Sequence, residues 1–230
     1  MQAVILAGGL GTRLRPLTYE VPKVLAPVAG RPFLDWLIAA LPPGLFGELL
    51  LLIGHLGEQV RDHCGDGSRY GLPIRYSREP APLGTAGAVR FAAPLLADQF
   101  VLINGDTYVE VHYAALETAH RASARVGTMV VGRSFDPAVR PNLRVEADGR
   151  ISRYAKRQPS HELNAVDAGV TLFERSVLDH IPDTCPVGLE QGVYQELSGQ
   201  GLLYGFRAPD PFYDMGTPAL LEALARHLEA

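Results

Sequence analysis

Short, continuously apolar runs alternate with amphipathic stretches through the first half of the chain: Ala3 to Ala7, Phe33 to Leu41, Leu49 to Ile53, Leu56 to Cys64, Ile74 to Ser77, Gly84 to Leu96 and Phe100 to Ile103. A run such as Leu49-Leu50-Leu51-Leu52-Ile53 is apolar at every position, so a strand formed from it must be covered on both faces. Strand and helix in turn, with strands of that kind, predict an α/β fold: a Rossmann-like αβα sandwich around a mixed, mostly parallel sheet. Ligands of such sheets bind beyond the carboxyl ends of the strands.

The helix from Phe33 has clear signals. Pro32 suits a first helical position, Phe33, Leu34, Leu37, Ile38 and Leu41 recur at helical spacing, and Pro42-Pro43-Gly44 ends it, with Trp36 assigned to the core. After residue 125 the pattern turns β-rich, with Val126 to Val131, Leu143 to Val145, a turn at Asp148-Gly149, Ile151 to Tyr154 and Val166 to Phe173. This stretch reads as a lid-like subregion inserted on the same sheet. Pro218, Leu220, Leu221, Leu224 and Leu228 predict a closing helix, and without an internal repeat or clear linker residues 1–230 read as one domain.

The net charge of −4 gives no general attraction to nucleic acid or to an anionic membrane, so an anionic ligand must be held by local positive charge. The longest apolar run, Leu49 to Ile53, is far shorter than the ~20 residues that span a bilayer. The opening Met1-Gln2-Ala3-Val4-Ile5-Leu6-Ala7 lacks the basic stretch and long apolar segment of a secretory signal, and a cytoplasmic protein is expected. Cys64 and Cys185 are far apart and have no metal-ligand spacing, so they read as reduced thiols, and the seven histidines form no ligand cluster by spacing.

The segment Leu6-Ala7-Gly8-Gly9-Leu10-Gly11-Thr12-Arg13-Leu14-Arg15-Pro16 directly follows the first strand. Glycines let a backbone pass close to a bound nucleotide and aim N–H groups at phosphate oxygens, and Arg13 adds a full positive charge. A dinucleotide fingerprint is disfavoured because Leu14 stands where its third glycine should pack. A P-loop is disfavoured because no Gly-Lys-Ser/Thr closes the segment; the first lysine is Lys23, in Val21-Pro22-Lys23-Val24. A purely structural glycine turn would need neither Arg13 nor the nearby lysine.

Leu6 to Pro16 followed by Pro22-Lys23 resembles the signature of the sugar-phosphate nucleotidyltransferases. The similarity continues, in that family's order, through Glu79-Pro80-Ala81-Pro82-Leu83-Gly84-Thr85-Ala86-Gly87, Asn104-Gly105-Asp106, Asp167-Ala168-Gly169 and Asp214-Met215-Gly216-Thr217-Pro218. Within it the chain is most similar to D-glycero-α-D-manno-heptose 1-phosphate guanylyltransferases, with mannose 1-phosphate guanylyltransferases close behind. The resemblance implies the nucleotide-diphospho-sugar transferase fold with a β-rich sugar-side subregion. It also implies joining of GTP and a sugar 1-phosphate to give a GDP-sugar and pyrophosphate, Mg2+ as cofactor, and a homodimer as an allowed state.

By that resemblance Arg13 and Lys23 act on the triphosphate. Leu6, Ala7, Gly8, Gly9, Gly11, Thr12, Glu79, Pro82, Gly84 and Thr85 line the nucleotide, and Asn104, Gly105, Lys156, Asp167 and Gly169 line the sugar phosphate. Asp106 follows the strand ending at Ile103, and Asp214 follows Phe212-Tyr213, so both sit at expected strand ends. Two aspartates with phosphate oxygens and waters make the oxygen-rich site that magnesium prefers, and the resemblance gives both that role.

An ionised Glu79 accepts hydrogen bonds only, which suits the N1–H and N2–H edge of guanine as a bidentate pair. On the sugar side Ala155-Lys156 stands where the family commonly has Glu-Lys, and Asp167 where it has Asn; Asp167 still accepts hydroxyl hydrogen bonds, and Gly169 leaves room for a ring. Two readings from other classes stand beside the enzyme: a catalytically silent nucleotide-sugar sensor, which has little reason to keep both aspartates, and a dinucleotide-dependent oxidoreductase.

Overall fold

A computed structural model describes residues 1–155 and 160–229. The chain runs β1 (Gln2–Ala7), β2 (Pro27–Val28), β3 (Arg31–Pro32), α1 (Phe33–Ala39), β4 (Glu48–Ile53), α2 (Gly57–Cys64), β5 (Ile74–Arg78), α3 (Gly84–Phe91), β6 (Gln99–Asn104), β7 (Thr107–Tyr108) and α4 (Tyr113–Ser123). It continues through β8 (Gly127–Gly132), β9 (Leu143–Val145), β10 (Ile151–Tyr154), β11 (Val166–Glu174), a π-helical turn (Leu189–Val193), α5 (Tyr194–Gly199), β12 (Leu203–Arg207), β13 (Tyr213–Asp214) and α6 (Pro218–Leu228).

Among the described residues the central sheet has seven strands in the order β12-β8-β11-β6-β1-β4-β5. β1 pairs in parallel with β4 and β6, β4 with β5, and β8 with β12, while β11 runs antiparallel between β6 and β8. The expected mixed, mostly parallel α/β architecture is what forms. The period-2 geometry of the strands divides their side chains between two apolar layers. Ala3, Ile5, Leu49, Leu51, Val101 and Ile103 join the layer that includes α1 and α4 residues; Val4, Leu50, Leu52, Phe100 and Leu102 join the layer that includes α3 and α5 residues. Each fully buried Leu, Ile, Val or Phe contributes about 1.5–3 kcal/mol relative to exposure, which is why these runs are apolar throughout.

Three details of the expected organisation are corrected. Pro32 is extended (φ −54°, ψ 139°) and ends β3, so it precedes α1 instead of taking its first helical position, and α1 starts at Phe33 as expected. Trp36 is half-buried rather than a core residue; its indole N–H donates to the Val28 carbonyl at 2.9 Å and Arg31 stacks on its ring. In the β-rich second half, β8 and β11 are members of the central sheet, and β9 with β10 forms a separate antiparallel pair. Both cysteines are free, Cys64 buried and Cys185 exposed, and no described helix is long and apolar enough to cross a membrane.

The chain moves from β1 outward to β4 and β5, then returns across the sheet to β6. The order of strands therefore reverses beside β1, and the crevice beyond the carboxyl ends of β1 and β6 is where a sheet of this kind holds ligands.

Candidate active site

A cleft of about 710 Å³ opens at that reversal point. Of the residues expected from sequence, Leu6, Gly9, Arg13, Lys23, Thr85, Asn104, Gly105, Asp106, Asp167 and Asp214 line it. Ala7, Gly8, Gly11, Thr12, Glu79, Pro82, Gly84 and Gly169 are not in its lining, and Lys156 lies outside the described residues.

The glycine loop leaves β1 and folds tightly on itself. Gly11 has φ +60°, and its carbonyl accepts the Leu14 N–H at 2.9 Å and the Thr18 hydroxyl at 2.7 Å. A Cβ at Gly11 would lie 2.8 Å from Thr18 Cγ2 and 3.1 Å from Lys23 Cβ, so glycine is what allows the turn carrying Arg13 to pack beside Lys23. On the neighbouring strand the Gly105 N–H donates to the Leu6 carbonyl at 3.1 Å, and a Cβ at Gly105 would meet that oxygen. The close approach draws Asp106 against the end of β1.

The two aspartates are brought together by a short antiparallel ribbon. β7 pairs with β13, Thr107 stands opposite Asp214, and the Met215 N–H donates to the Asp106 carbonyl at 3.0 Å. Lys23 Nζ donates to Asp106 Oδ2 at 2.7 Å. Asp214 Oδ1 is buried and accepts no hydrogen bond among the described residues. Burial first, and then the charge of Asp106, push the Asp214 carboxyl above its ordinary range, against the opposite pull of Lys23, Arg13 and the Gly216 backbone. A Cβ at Gly216 would stand 2.6 Å from both Arg13 Nη1 and Asp214 Oδ1, so glycine there lets the guanidinium and the carboxylate share one wall.

An orphaned buried carboxylate oxygen beside a second carboxylate is an arrangement that a hard divalent cation relieves. The donor set fits magnesium: two aspartates, with no larger ligand cluster among the described residues, leave the remaining positions to phosphate oxygens and water.

Glu79 braces the loop from below. Its Oε2 accepts the Leu83 N–H at 3.0 Å, and its Oε1 lies 3.1 Å and 2.5 Å from where Cβ atoms of Gly8 and Gly54 would be. One of the two oxygens that a bidentate guanine contact needs is therefore already engaged. Gly84 (φ +77°) faces the Val187 carbonyl, 2.4 Å from where its Cβ would lie, and that carbonyl accepts the Ala86 and Gly87 N–H groups at 3.0 and 3.2 Å. The first turn of α3 is thus tied to the segment before the π-helical turn through the Ala86 and Gly87 N–H groups.

Asp167, also in the cleft lining, is held on several sides. Its N–H donates to Asn142 Oδ1 at 3.0 Å, its Oδ1 accepts the Gly169 N–H at 2.8 Å, and its Oδ2 accepts the Tyr154 hydroxyl at 3.0 Å. Gly169 sits at φ +77° within a register shift of β11 against β8. A Cβ there would approach Asn104 Nδ2 and Thr107 to 3.1 Å, so this glycine permits close packing rather than leaving room for a sugar ring. The sequence reading missed Asn142, Gly188, Leu189, Glu190, Gln191 and Tyr194, all of which line the cleft. The stretch 188–194 has neither strand alternation nor a helical apolar stripe. Hydrogen bonds to residues about 100 positions earlier bring it to the cleft, among them Leu189 N–H to Thr85 Oγ1 at 2.8 Å and Val187 N–H to the Leu83 carbonyl at 2.9 Å.

A family model described as Nucleotidyl transferase matches residues 2–222, and the chain belongs to that family. Among curated relatives, a mannose-1-phosphate guanylyltransferase of Mycobacterium tuberculosis is 33% identical over 221 residues, covering 95% of this chain and 62% of its own length. The mannose-1-phosphate guanylyltransferase catalytic subunit beta of Danio rerio is 31% identical over 223 residues, again 95% and 62%. The chain thus spans about three fifths of the length of these relatives. Among solved structures, HddC from Yersinia pseudotuberculosis superposes with a TM-score of 0.84 at 22% identity over 99% of both chains, and the same protein complexed with GMP-PN does so at 0.83. At that identity the likeness is one of fold.

Proposed function

We propose that this chain is a sugar 1-phosphate guanylyltransferase that joins GTP to D-glycero-α-D-manno-heptose 1-phosphate, releasing pyrophosphate and forming GDP-heptose, with residues 1–230 acting as one catalytic domain. The observation that carries the reading is the gathering of Arg13, Lys23, Asp106 and Asp214 on one wall of a cleft at the carboxyl ends of β1 and β6. A phosphate oxygen of the sugar 1-phosphate forms a bond to the α-phosphorus of the nucleotide in line with the departing group, and the bond from that phosphorus to the bridging oxygen of the β-phosphate breaks. The attacking group is already an anionic oxygen, so no protein nucleophile is needed, and the protein contributes alignment and charge.

Lys23 and Arg13 offset the negative charge that accumulates on the departing pyrophosphate, and the glycine loop lets the backbone come close to the nucleotide. Asp106 and Asp214 would hold a magnesium ion, which when bound lowers the repulsion between the two polyanions. Asp167 accepts hydroxyl hydrogen bonds from the sugar. Glu79, with Oε2 on Leu83, keeps Oε1 for a single base N–H while holding the loop in place. The likeness to the mannose-1-phosphate guanylyltransferases of M. tuberculosis and D. rerio favours mannose 1-phosphate as the second reading of the sugar.

Asp106→Asn and Asp214→Asn each keep side-chain size and remove a charge. Each is expected to lower turnover, measured as magnesium-dependent formation of GDP-sugar, by about 100-fold or more, the effect of losing one strong transition-state contact. Near-normal turnover in both variants would remove the metal-site assignment.

A further inference from the structure

Asp214 stands on β13, a strand of two residues that pairs only with β7 among the described strands, and no hydrogen bond fixes its Oδ1. Side chains alternate between the faces of such a ribbon. Thr107 and Asp214, opposite each other, line the cleft, while their neighbours Tyr108 and Tyr213 are absent from its lining. Away from the cleft, Tyr213 meets two rings from distant parts of the chain. Phe135 stacks on it with centroids 4.7 Å apart and planes 23° from parallel, and His227 with centroids 4.5 Å apart and planes 20° from parallel. His227 also meets the Tyr108 ring edge-on at 6.1 Å, so one ring from the last turn of α6 touches both strands of the ribbon. Phe135 is brought there by backbone: its N–H donates to the Phe212 carbonyl at 2.8 Å, and the Phe212 N–H donates to the Arg133 carbonyl at 3.0 Å. Neither ring is central to the core, since Phe135 is exposed, His227 is half-buried, and α6 is docked by the buried Ala223 and Leu224.

We propose that His227 and Phe135 are positioning residues: stacked on Tyr213, they hold β13 so that the Asp214 carboxylate is set against Asp106. The proposal rests on the reading of Asp106 and Asp214 as a divalent-cation site. Such a cation demands near-ideal placement of its oxygen ligands. Asp106 is placed by the Gly105 N–H on the Leu6 carbonyl and by Lys23 on its Oδ2. Asp214 depends on its backbone, and Tyr213 is the residue next to it, so a shift of that ring turns the peptide that carries the carboxylate. The stack also bounds the effect. The energy of an aromatic pair corresponds to about 3- to 10-fold in an equilibrium, and the aim that the pair enforces can be worth no more than that.

The test is calorimetry of a non-hydrolysable GTP analogue binding to the protein, with Mg2+ and with no divalent ion. The ratio of the two affinities is the gain due to the cation. His227→Ala and Phe135→Ala are each expected to lower that gain about 3- to 10-fold, with the metal-free affinity and the melting temperature close to wild type. His227→Phe, which keeps a flat ring, is expected to restore it. Because Phe135 is exposed, its variant reads the stack even where His227→Ala fails to fold. An unchanged gain in both alanine variants, a metal-free affinity that falls in step with the other, or a His227→Phe no better than His227→Ala overturns the positioning role. Asp214→Asn separates this from the reading beneath it. A gain present in wild type, lost in Asp214→Asn and kept in both alanine variants overturns the positioning role alone. No gain in wild type, or a full gain in Asp214→Asn, overturns the metal-site reading and the positioning role with it.

Discussion

Gly216 shows how tightly the charged wall is built. Arg13 Nη1 and Asp214 Oδ1 both lie 2.6 Å from the position a Cβ would take, so Gly216→Ala must push the guanidinium, the carboxylate or both out of place. Misplacing catalytic groups by about 1 Å costs on the order of 100-fold in rate, and Gly216→Ala is expected to lose about that much in pyrophosphate release while its melting temperature stays close to wild type. An unchanged rate would mean that the wall can relax without consequence. At this scale the groups legible in the sequence are those in short local motifs: Arg13, Lys23, Asp106 and Asp214 each stand within two residues of a glycine or proline that marks the position, and all four line the cleft. Glu79 was legible as a base-side carboxylate, but its engagement with the Leu83 N–H was not, because that bond depends on how the loop after β5 closes. Asn142 and Leu189 carry no local mark at all; they reach the cleft through pairings with Asp167 and Thr85 that lie far away in the chain.

Among the elements, the connection between α3 and the π-helical turn joins the two halves of the cleft. Gly84 adopts φ +77° with the Val187 carbonyl 2.4 Å from its missing Cβ. Gly84→Ala therefore adds both a left-handed backbone penalty, about 1–2 kcal/mol for an L-residue, and a clash with backbone that cannot swing aside. The expected outcome is a lower urea midpoint and, since Leu189 and Glu190 follow Val187 by two and three residues and line the cleft, a higher KM for the sugar 1-phosphate. A loss of stability with the sugar KM unchanged would separate this connection from the sugar end. The first-half elements were legible because β1, β4 and β6 are buried on both faces and the helices on one, which leaves a strong apolar pattern. The placement of β8 and β11 was not, because alternation identifies a strand but not its neighbour: the antiparallel insertion of β11 between β6 and β8 is a long-range pairing. The edge strand β12 escaped notice for a related reason, since Leu203–Arg207 buries only Leu203 and Gly205.

Across the whole molecule the argument follows from the sheet. Strands apolar on both faces require a covered, mostly parallel sheet; such a sheet reverses its strand order beside β1; and that reversal places the glycine loop, Asp106 and Asp214 around one cleft. The cleft lining combines two basic side chains, Arg13 and Lys23, with the acceptors Asp106, Asp214 and Asp167, which matches a substrate that carries phosphates, a cation and hydroxyls. The most direct test is pyrophosphate release with magnesium across GTP, UTP, dTTP, CTP and ATP, each paired with heptose, mannose, glucose and N-acetylglucosamine 1-phosphates. The account predicts release with GTP, greatest with heptose 1-phosphate and next with mannose 1-phosphate. Release from none of the pairs, by protein that still binds a GDP-sugar, would contradict it and make the chain a sensor of nucleotide-sugars rather than a maker of them.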